Sequence, residues 1–148
     1  MSDSPPTATT PPDKLSVIVY AGEFDKVHYA MATAAAAAAI GRAVTLFFTM
    51  DACEALGRDK AWRAMPVGQG GHKDAGAMDD GFQDLGVADF ETLITSCAEM
   101  GVVFMVCEMG LRARGLEDMP LRDDIAIAPG GLVTFLNDAS KDGAMLFI

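Results

Sequence analysis

The sequence predicts an α/β protein, specifically a three-layer α/β/α sandwich around a mostly parallel five-stranded sheet. Apolar runs of strand length alternate with helical patterns along the chain. The run from Gly101 to Cys107 has no polar alternation, which is typical of a strand covered on both faces in a parallel sheet. The first strand, helix and second strand also fit a right-handed βαβ unit, in which the two strands are parallel.

The remaining elements follow from the spacing of apolar residues and from capping signals. Asp25, Asp51 and Asp89 are predicted to cap helices, and Gly41 is expected to end the first one. The third helix should bury the positions Phe90, Leu93, Ile94 and Cys97. The strands are predicted over 15–20, 43–49, 101–107, 124–128 and 144–148, with helices over 26–40, 52–57, from 90 onward, 108–116 and 132–139.

The chain is predicted to form a single domain over 14–148. Residues 1–13 contain four prolines and lack the basic and apolar regions of a signal peptide, so we expect a disordered tail. Residues 58–86 form a glycine-rich insertion, which we interpret as a functional or disordered loop. No stretch reaches the length of about 18 apolar residues that a membrane span needs, and we expect a cytoplasmic protein with reduced cysteines.

The composition of the chain limits the classes of molecule that it is expected to bind. Hydrophobic residues make up 51% of the chain, which favours a homo-oligomer that covers apolar surface between subunits. A net charge of −10 without a basic cluster argues against nucleic acid and anionic membranes, but leaves small anions and oppositely charged proteins open. We expect no metal and no cofactor, because no CxxC or His/Cys cluster occurs and Gly68–Gly71 lacks the spacing of a phosphate-binding loop.

Cys107 is the first candidate site residue, because it ends the apolar run and should lie at the carboxyl edge of the sheet. The N-terminus of the next helix would favour its thiolate by about 0.3–1 kcal/mol, less than about one pKa unit. Arg112 and Arg114 could add positive charge, whereas Glu108 opposes it. These residues leave two interpretations open, a reactive thiolate or a small buried hydrophobe.

The other two cysteines and one histidine are secondary candidates. Cys97 lies in the last turn of its helix, toward the opposite edge of the sheet, so it is expected to be structural. A strand on the order of 20 Å separates Cys97 from Cys107, too far for a disulfide. Cys53 should lie at the same edge as Cys107 and is either a second thiol or a packed helix residue. His72, in the insertion, is either an acid or base near a thiol or an ordinary loop residue.

Together these features resemble the DsrE/DsrF-like family of small sulfurtransferases. The most specific element is a strand that ends on Cys107, with Cys97 ten residues earlier and Gly101 between them. The resemblance extends from about residue 15 to the end of the chain. It is carried by Leu15–Tyr20 with the alanine-rich helix after it, Val44–Thr49, Cys97–Met109 and Ala128–Leu136.

The resemblance implies a flavodoxin-like fold and a protein that carries sulfur as a cysteine persulfide or thiosulfonate between partners. It implies that Cys107 is the active cysteine, that Cys97 matches a cysteine found in some members, and that the 58–86 loop lies near the thiol. The resemblance further implies a cytoplasmic homo-oligomer, usually a trimer, tetramer or hexamer, that binds no metal. Two positions depart from the usual pattern of the family. Members usually have an aromatic or small residue where this chain has Cys53, and a small hydroxyl residue where it has Gly110.

Two further functions remain open from the sequence. A non-catalytic structural or regulatory subunit could keep the fold while its thiols serve packing. A flavodoxin-like nucleotide binder is a third interpretation, although no phosphate-binding loop supports it.

Overall fold

A computed structural model of the protein describes residues 10–148. Its strands are β1 (Lys14–Val19), β2 (Ala43–Phe48), β3 (Val103–Cys107), β4 (Ile127–Gly130) and β5 (Ala144–Phe147). Its α-helices are α1 (Phe24–Ala39), α2 (Ala75–Asp84), α3 (Phe90–Glu99), α4 (Glu108–Ala113) and α5 (Leu132–Asp138). Two 3₁₀ helices, Met50–Leu56 and Ala61–Ala64, lie between β2 and α2.

The predicted α/β sandwich is confirmed, and its five strands are all parallel in the order β4-β3-β2-β1-β5. The chain adds β2, β3 and β4 on one side of β1 and then returns to place β5 on the other side. β3 is therefore an interior strand, as its unbroken apolar sequence predicts. Of the predicted tail over 1–13, residues 1–9 lie outside the described part, and residues 10–13 form neither helix nor strand.

The two faces of the sheet are covered unequally. On one face α1 and α3 pack over Val17, Leu46 and Phe104, and this face holds the larger core cluster. On the other face α5 contributes one fully buried side chain, Phe135, to a small cluster of buried residues. The members of that cluster are Phe47, Met105, Cys107 and Phe135, with Ile18 packed against them.

Helix capping agrees with the sequence where the contact is local. Asp89 accepts a hydrogen bond from the Thr92 amide at 2.7 Å and begins α3, as predicted. Gly41 follows α1 with φ of +86°, the left-handed conformation expected of a glycine that ends a helix. The four residues predicted to face the core in α3 are all buried.

The other two predicted caps are wrong. Asp25 lies inside the first turn of α1 and accepts a hydrogen bond from the Gly68 amide at 2.8 Å. Asp51 lies within the 3₁₀ helix after β2 and pairs with Arg114 at 2.7 Å. Each carboxylate is engaged by a group that is distant in sequence, which a local pattern does not reveal.

The 58–86 insertion is not an irregular loop. It contains the 3₁₀ helix Ala61–Ala64 and the helix α2, whose first turn is capped by Asp74 through the Ala77 amide at 2.9 Å. Trp62 is buried and stacks against Phe24 of α1, with ring centroids 5.2 Å apart. The fourth strand is also shifted, since it runs over Ile127–Gly130 rather than 124–128.

Candidate functional site

Cys107 lies at the carboxyl edge of the sheet, at the junction of β3 and α4. It is the last residue of β3 and also the N-cap of α4, and its Sγ accepts a hydrogen bond from the Gly110 amide at 3.3 Å. The sulfur therefore has a backbone amide donor directed at it. The local arrangement thus matches the strand-to-helix junction that the sequence predicts.

The sulfur of Cys107 is covered, whereas the sequence led us to expect a thiol emerging at the rim. Cys107 is only 1% exposed and packs in the small cluster with Met105, Phe47 and Phe135. The cover arises because β4 ends opposite Cys107, at Gly130, and the chain turns directly into α5. The Phe135 ring then stacks on Phe47 with centroids 4.9 Å apart.

Gly110 fits closely against the turn that follows β2. A Cβ added at Gly110 would lie 2.5 Å from the Thr49 hydroxyl oxygen and 2.5 Å from the Met50 amide nitrogen. Met50 itself has a positive φ of 51°, which is uncommon for a residue with a side chain. The absence of a side chain at Gly110 therefore lets the first turn of α4 contact this turn while its amide bonds to Cys107.

The three residues expected to support the thiol contact other groups. Arg112 pairs with Glu117 at 3.5 Å, and Arg114 makes two hydrogen bonds to the Asp51 carboxylate at 2.7 and 3.3 Å. His72 lies beside α2, where a Cβ on Gly81 would be 3.3 Å from its ring. The positive charge of both arginines is thus offset by carboxylates, and His72 belongs to the insertion.

Cys97 is a packed core residue, as the sequence indicates. It is fully buried in α3 beneath α1, and its thiol donates to the Met31 carbonyl oxygen at 3.7 Å. Burial raises the pKa of Cys97 to about 11. A thiolate is therefore scarce at this position at neutral pH.

Cys53 lies near Cys107, a relation the sequence left open. It is fully buried in the 3₁₀ helix after β2, and its thiol donates to the Phe48 carbonyl oxygen at 3.6 Å. Burial, followed by the negative charge of the Cys107 thiolate, raises the pKa of Cys53 to about 12. The strand order explains the proximity, because β2 and β3 are neighbours in the sheet.

An open cleft of about 340 Å³ lies at the same edge of the sheet, between the ends of β1 and β2. Its charged lining is balanced, with Lys26 and Arg114 facing Glu23 and Asp51. The cleft therefore carries no excess positive charge with which to attract an anion.

Comparison with known proteins places this chain in a family. The sequence profile of the DsrE/DsrF-like family matches residues 14–146, nearly the whole chain. The chain belongs to the DsrE/DsrF-like family. Membership of this family indicates a role related to sulfur relay.

Individual relatives of this DsrE/DsrF-like protein support the fold. The uncharacterized protein YrkE of Bacillus subtilis is 27% identical over 159 residues, which cover 91% of this chain and 96% of YrkE. The crystal structure of the ychN protein from E. coli matches with a TM-score of 0.53 at 17% identity. The match covers 92% of this chain and 99% of ychN. The structure of the protein MTH1491 from Methanobacterium thermoautotrophicum matches with a TM-score of 0.56 at 12% identity. The match covers 91% of this chain and 98% of MTH1491.

In this DsrE/DsrF-like protein the buried residues of the insertion and Cys107 lie in different core clusters. The insertion residues Trp62, Met65 and Met78 belong to the large cluster under α1 and α3, whereas Cys107 belongs to the cluster on the opposite face. The buried side chains of the insertion thus pack on the face opposite the small cluster, and the aromatic ring of α5 that packs in the cluster with Cys107 is Phe135.

Phe135 is the site residue that sequence reasoning missed. Four apolar residues lie in α5, and three of them, Leu132, Val133 and Leu136, are exposed. A helix in which most faces are apolar gives no periodic signal for the buried position. The aromatic side chain is the one sequence feature that distinguishes the buried Phe135 from the exposed apolar residues of α5.

Residues 10–148 hold no group of three or more His, Cys, Asp or Glu side chains arranged to bind a metal ion. None of the helices described is both long and apolar enough to cross a membrane.

Proposed function

We propose that this protein is a sulfur carrier or sulfurtransferase that binds sulfane sulfur, or a thiosulfonate group, on Cys107. The observation that carries the proposal is the place of Cys107 at the N-cap of α4, with the Gly110 amide donating to its sulfur. An amide donor favours the anionic forms of both the thiol and a bound persulfide. Membership of the DsrE/DsrF-like family supports the same chemistry.

The transfer consists of two displacement steps. In the first, the Cys107 thiolate attacks the outer sulfur of a donor persulfide, and the donor cysteine leaves as its thiolate. In the second, an acceptor thiolate attacks the outer sulfur of Cys107–S–S⁻, which regenerates the Cys107 thiolate. Each step forms one S–S bond and breaks one, so no external oxidant or reductant is required.

Access to the sulfur requires movement of its cover. Phe135 is the only residue of α5 that is fully buried, and the other anchor of the helix is Asp138, which bonds to Lys14 and Thr45 at 2.7 Å each. A short helix held by so few groups can open locally without unfolding the sheet. Opening of α5 would expose Cys107 to a small sulfur anion or to a partner cysteine.

The partners in this proposal are other sulfur-carrier or sulfurtransferase proteins and small sulfur anions, in the cytoplasm. The proposal includes no nucleic acid, consistent with the net charge of −10. It also includes no resident cofactor, because the exchange requires only thiols.

A homo-oligomer is the proposed assembly, and exposed apolar side chains around α5 and β5 support it. Val133 is 72% exposed, Phe147 67% and Leu136 55%. Apolar surface of this kind is typical of a subunit interface. Sedimentation should give a trimer, tetramer or hexamer, and a monomer at micromolar concentration would contradict this part of the proposal.

A non-catalytic subunit is the second candidate function, and the 1% exposure of Cys107 favours it. In that case the three buried thiols serve only packing, and Cys107 takes up no sulfur. The two functions therefore differ in one measurable property, the sulfur bound at Cys107.

The test is incubation of the reduced protein with inorganic polysulfide, immediate alkylation, and peptide-resolved mass spectrometry. The wild type and Cys97→Ala should each gain sulfur at residue 107, and Cys107→Ala should gain none. Cys97→Ala is the matched control, because it removes a thiol that is buried to the same degree. Sulfur retained by Cys107→Ala but lost from Cys97→Ala would reverse the assignment, and no uptake by any variant would favour the non-catalytic subunit.

A further inference from the structure

Cys53 is a third thiol that the transfer steps above do not use. Its sulfur lies 3.6 Å from the Phe48 carbonyl oxygen, at the end of the strand next to β3. In the sheet register Phe48 is opposite Val106, so Cys107 is one residue beyond the paired position.

The orientation of one peptide group places the two cysteines together. The Thr49 amide donates to Val19 of β1 at 3.0 Å, so this N–H points away from β3. In a trans peptide the preceding carbonyl points the opposite way, which directs the Phe48 oxygen toward β3 and its last residue, Cys107. Since adjacent strands are about 4.8 Å apart, the Cys53 sulfur bonded to that oxygen lies beside the end of β3.

Electrostatics agree with this placement. The main-chain amide of Cys107 is close enough to the Cys53 sulfur to lower its pKa, while the charge of the Cys107 thiolate raises it. Both influences come from Cys107, in agreement with the backbone geometry that places Cys53 beside the end of β3. Cys97, in contrast, is affected only by burial.

We infer that Cys53 is a resolving thiol that discharges the persulfide on Cys107 and forms an internal Cys53–Cys107 disulfide. The inference rests on the proposed function, since it starts from the loaded Cys107. The Cys53 thiol passes its proton to the outer sulfur as its own sulfur attacks Sγ of Cys107. The bond between Sγ and the outer sulfur breaks, and the outer sulfur leaves as hydrosulfide. Two thiol sulfurs are oxidised to a disulfide, and one sulfane sulfur is reduced to hydrogen sulfide.

The resting structure requires one rearrangement for this step. The Cys107 sulfur packs in the cluster under α5, whereas Cys53 belongs to the large cluster on the other face. The end of β3 must move so that the Cys107 sulfur reaches Cys53 across the edge of the sheet, and this movement breaks the hydrogen bond from Gly110. The Gly110 amide thereby holds the carrier in its storage arrangement, and release follows when that contact is lost.

The experiment follows the fate of the loaded sulfur. The reduced full-length chain is loaded with polysulfide under anaerobic conditions, freed of excess donor, and then incubated alone. Persulfide at Cys107, hydrogen sulfide released and the disulfide are each measured over time, the last by non-reducing peptide mapping. Cys53→Ser is the test variant and Cys97→Ser the matched control, with Cys53→Ala as a second variant if the serine form does not fold.

The wild type and Cys97→Ser should lose persulfide, gain the Cys53–Cys107 disulfide and release one hydrogen sulfide per persulfide lost. Their rate should not depend on protein concentration, because the step is internal. Persulfide in Cys53→Ser should survive at least about tenfold longer, since an internal thiol acts at a local concentration of about millimolar or above.

Two results would overturn the inference while leaving sulfur carriage intact. These are equal persulfide lifetimes in the wild type and Cys53→Ser, and sulfur that moves to Cys53 without a disulfide. Failure of the proposed function is seen earlier, in the loading step, because no variant would then acquire persulfide at Cys107; that result also removes the basis of this inference.

Discussion

At the scale of single residues, the site depends on the contact between Gly110 and the turn after β2. The Gly110 amide reaches the Cys107 sulfur at 3.3 Å because its backbone lies directly against Thr49 and Met50. Any side chain at this position must displace either α4 or the turn. The departure from the family pattern at Gly110 thus has a structural reason.

We predict that Gly110→Ala disturbs the site more than the addition of one methyl group normally would. The added methyl would meet backbone at 2.5 Å, and overpacking of this kind costs about 1–3 kcal/mol of stability. The displaced amide should also lower the yield of persulfide at Cys107. Urea unfolding and polysulfide loading measure the two effects.

The matched control for this variant is Gly131→Ala, where an added Cβ meets no atom within 4 Å. Gly131 has φ of −123°, which an alanine adopts without strain. Equal stability and equal loading in the two variants would show that the close approach of Gly110 has no role.

Residue-level prediction succeeded where the cause lies within a few residues. Asp89 caps α3 through an amide three positions away, and Cys107 ends a strand that its own sequence defines. Asp25 and Asp51 have equally good capping sequences but partners 43 and 63 residues away. Competition from such distant groups is set by the folded chain and cannot be inferred from local pattern.

At the scale of elements, α5 covers the face of the sheet on which Cys107 is buried. Phe135 supplies its fully buried contact, stacked on Phe47 above the sulfur. The sequence predicts the helix α5 but not its position over Cys107. The length of the segment between β4 and β5 does not determine which face of the sheet the helix covers.

We predict that Phe135→Ala uncovers the thiol. Loss of this ring should cost about 3–5 kcal/mol of stability, and it should raise the rate of Cys107 alkylation by at least about tenfold, since each 1.4 kcal/mol changes an equilibrium tenfold. The measurement is native-state alkylation by iodoacetamide, resolved by peptide.

Phe104→Ala is the matched control for the cover, because it removes a buried ring from the same sheet but from the opposite face. It should destabilise the protein to a similar degree without a selective increase at Cys107. Equal acceleration in both variants would mean that Cys107 reacts only through general destabilisation.

The insertion illustrates a different limit of element prediction. Its glycines indicate a loop, yet Trp62 and Met65 are buried and anchor it to α1 and α3. Tertiary burial of a few large side chains therefore outweighed a glycine-rich composition.

At the scale of the whole molecule, one group of charges joins three separate segments. The Arg122 side chain, only 9% exposed, contacts Glu91 of α3 at 2.8 Å and Asp124 at 2.7 Å. The Trp62 indole donates to the same Glu91 carboxylate at 2.8 Å. Burial opposes the ionised form of Glu91, but hydrogen bonds from Arg122 and Trp62 outweigh it and hold the pKa of Glu91 below its ordinary value.

We predict that this group contributes to stability above the ordinary pKa of a glutamate and loses that contribution in acid. A carboxyl with a lower pKa in the folded state must be protonated as pH falls, so the free energy of unfolding should decrease from about pH 5 to about pH 3. Glu91→Gln should weaken this dependence. Urea unfolding at several pH values measures it.

Glu117→Gln is the control, because Glu117 forms an exposed pair with Arg112 at 3.5 Å, and such pairs contribute little, about 0–1 kcal/mol. Its pH dependence should match the wild type. If Glu91→Gln also matched the wild type, the charge group would have no role in acid stability.

We propose that Cys107, although covered, is the reactive thiol of the molecule, and competitive alkylation of the native protein is the sharpest test. The three cysteines are equally buried in the resting structure, so their rates report which one is reached by local motion. We expect Cys107 to be labelled first, well before Cys97 and Cys53. Labelling of all three at one common slow rate, set by global unfolding, would contradict it.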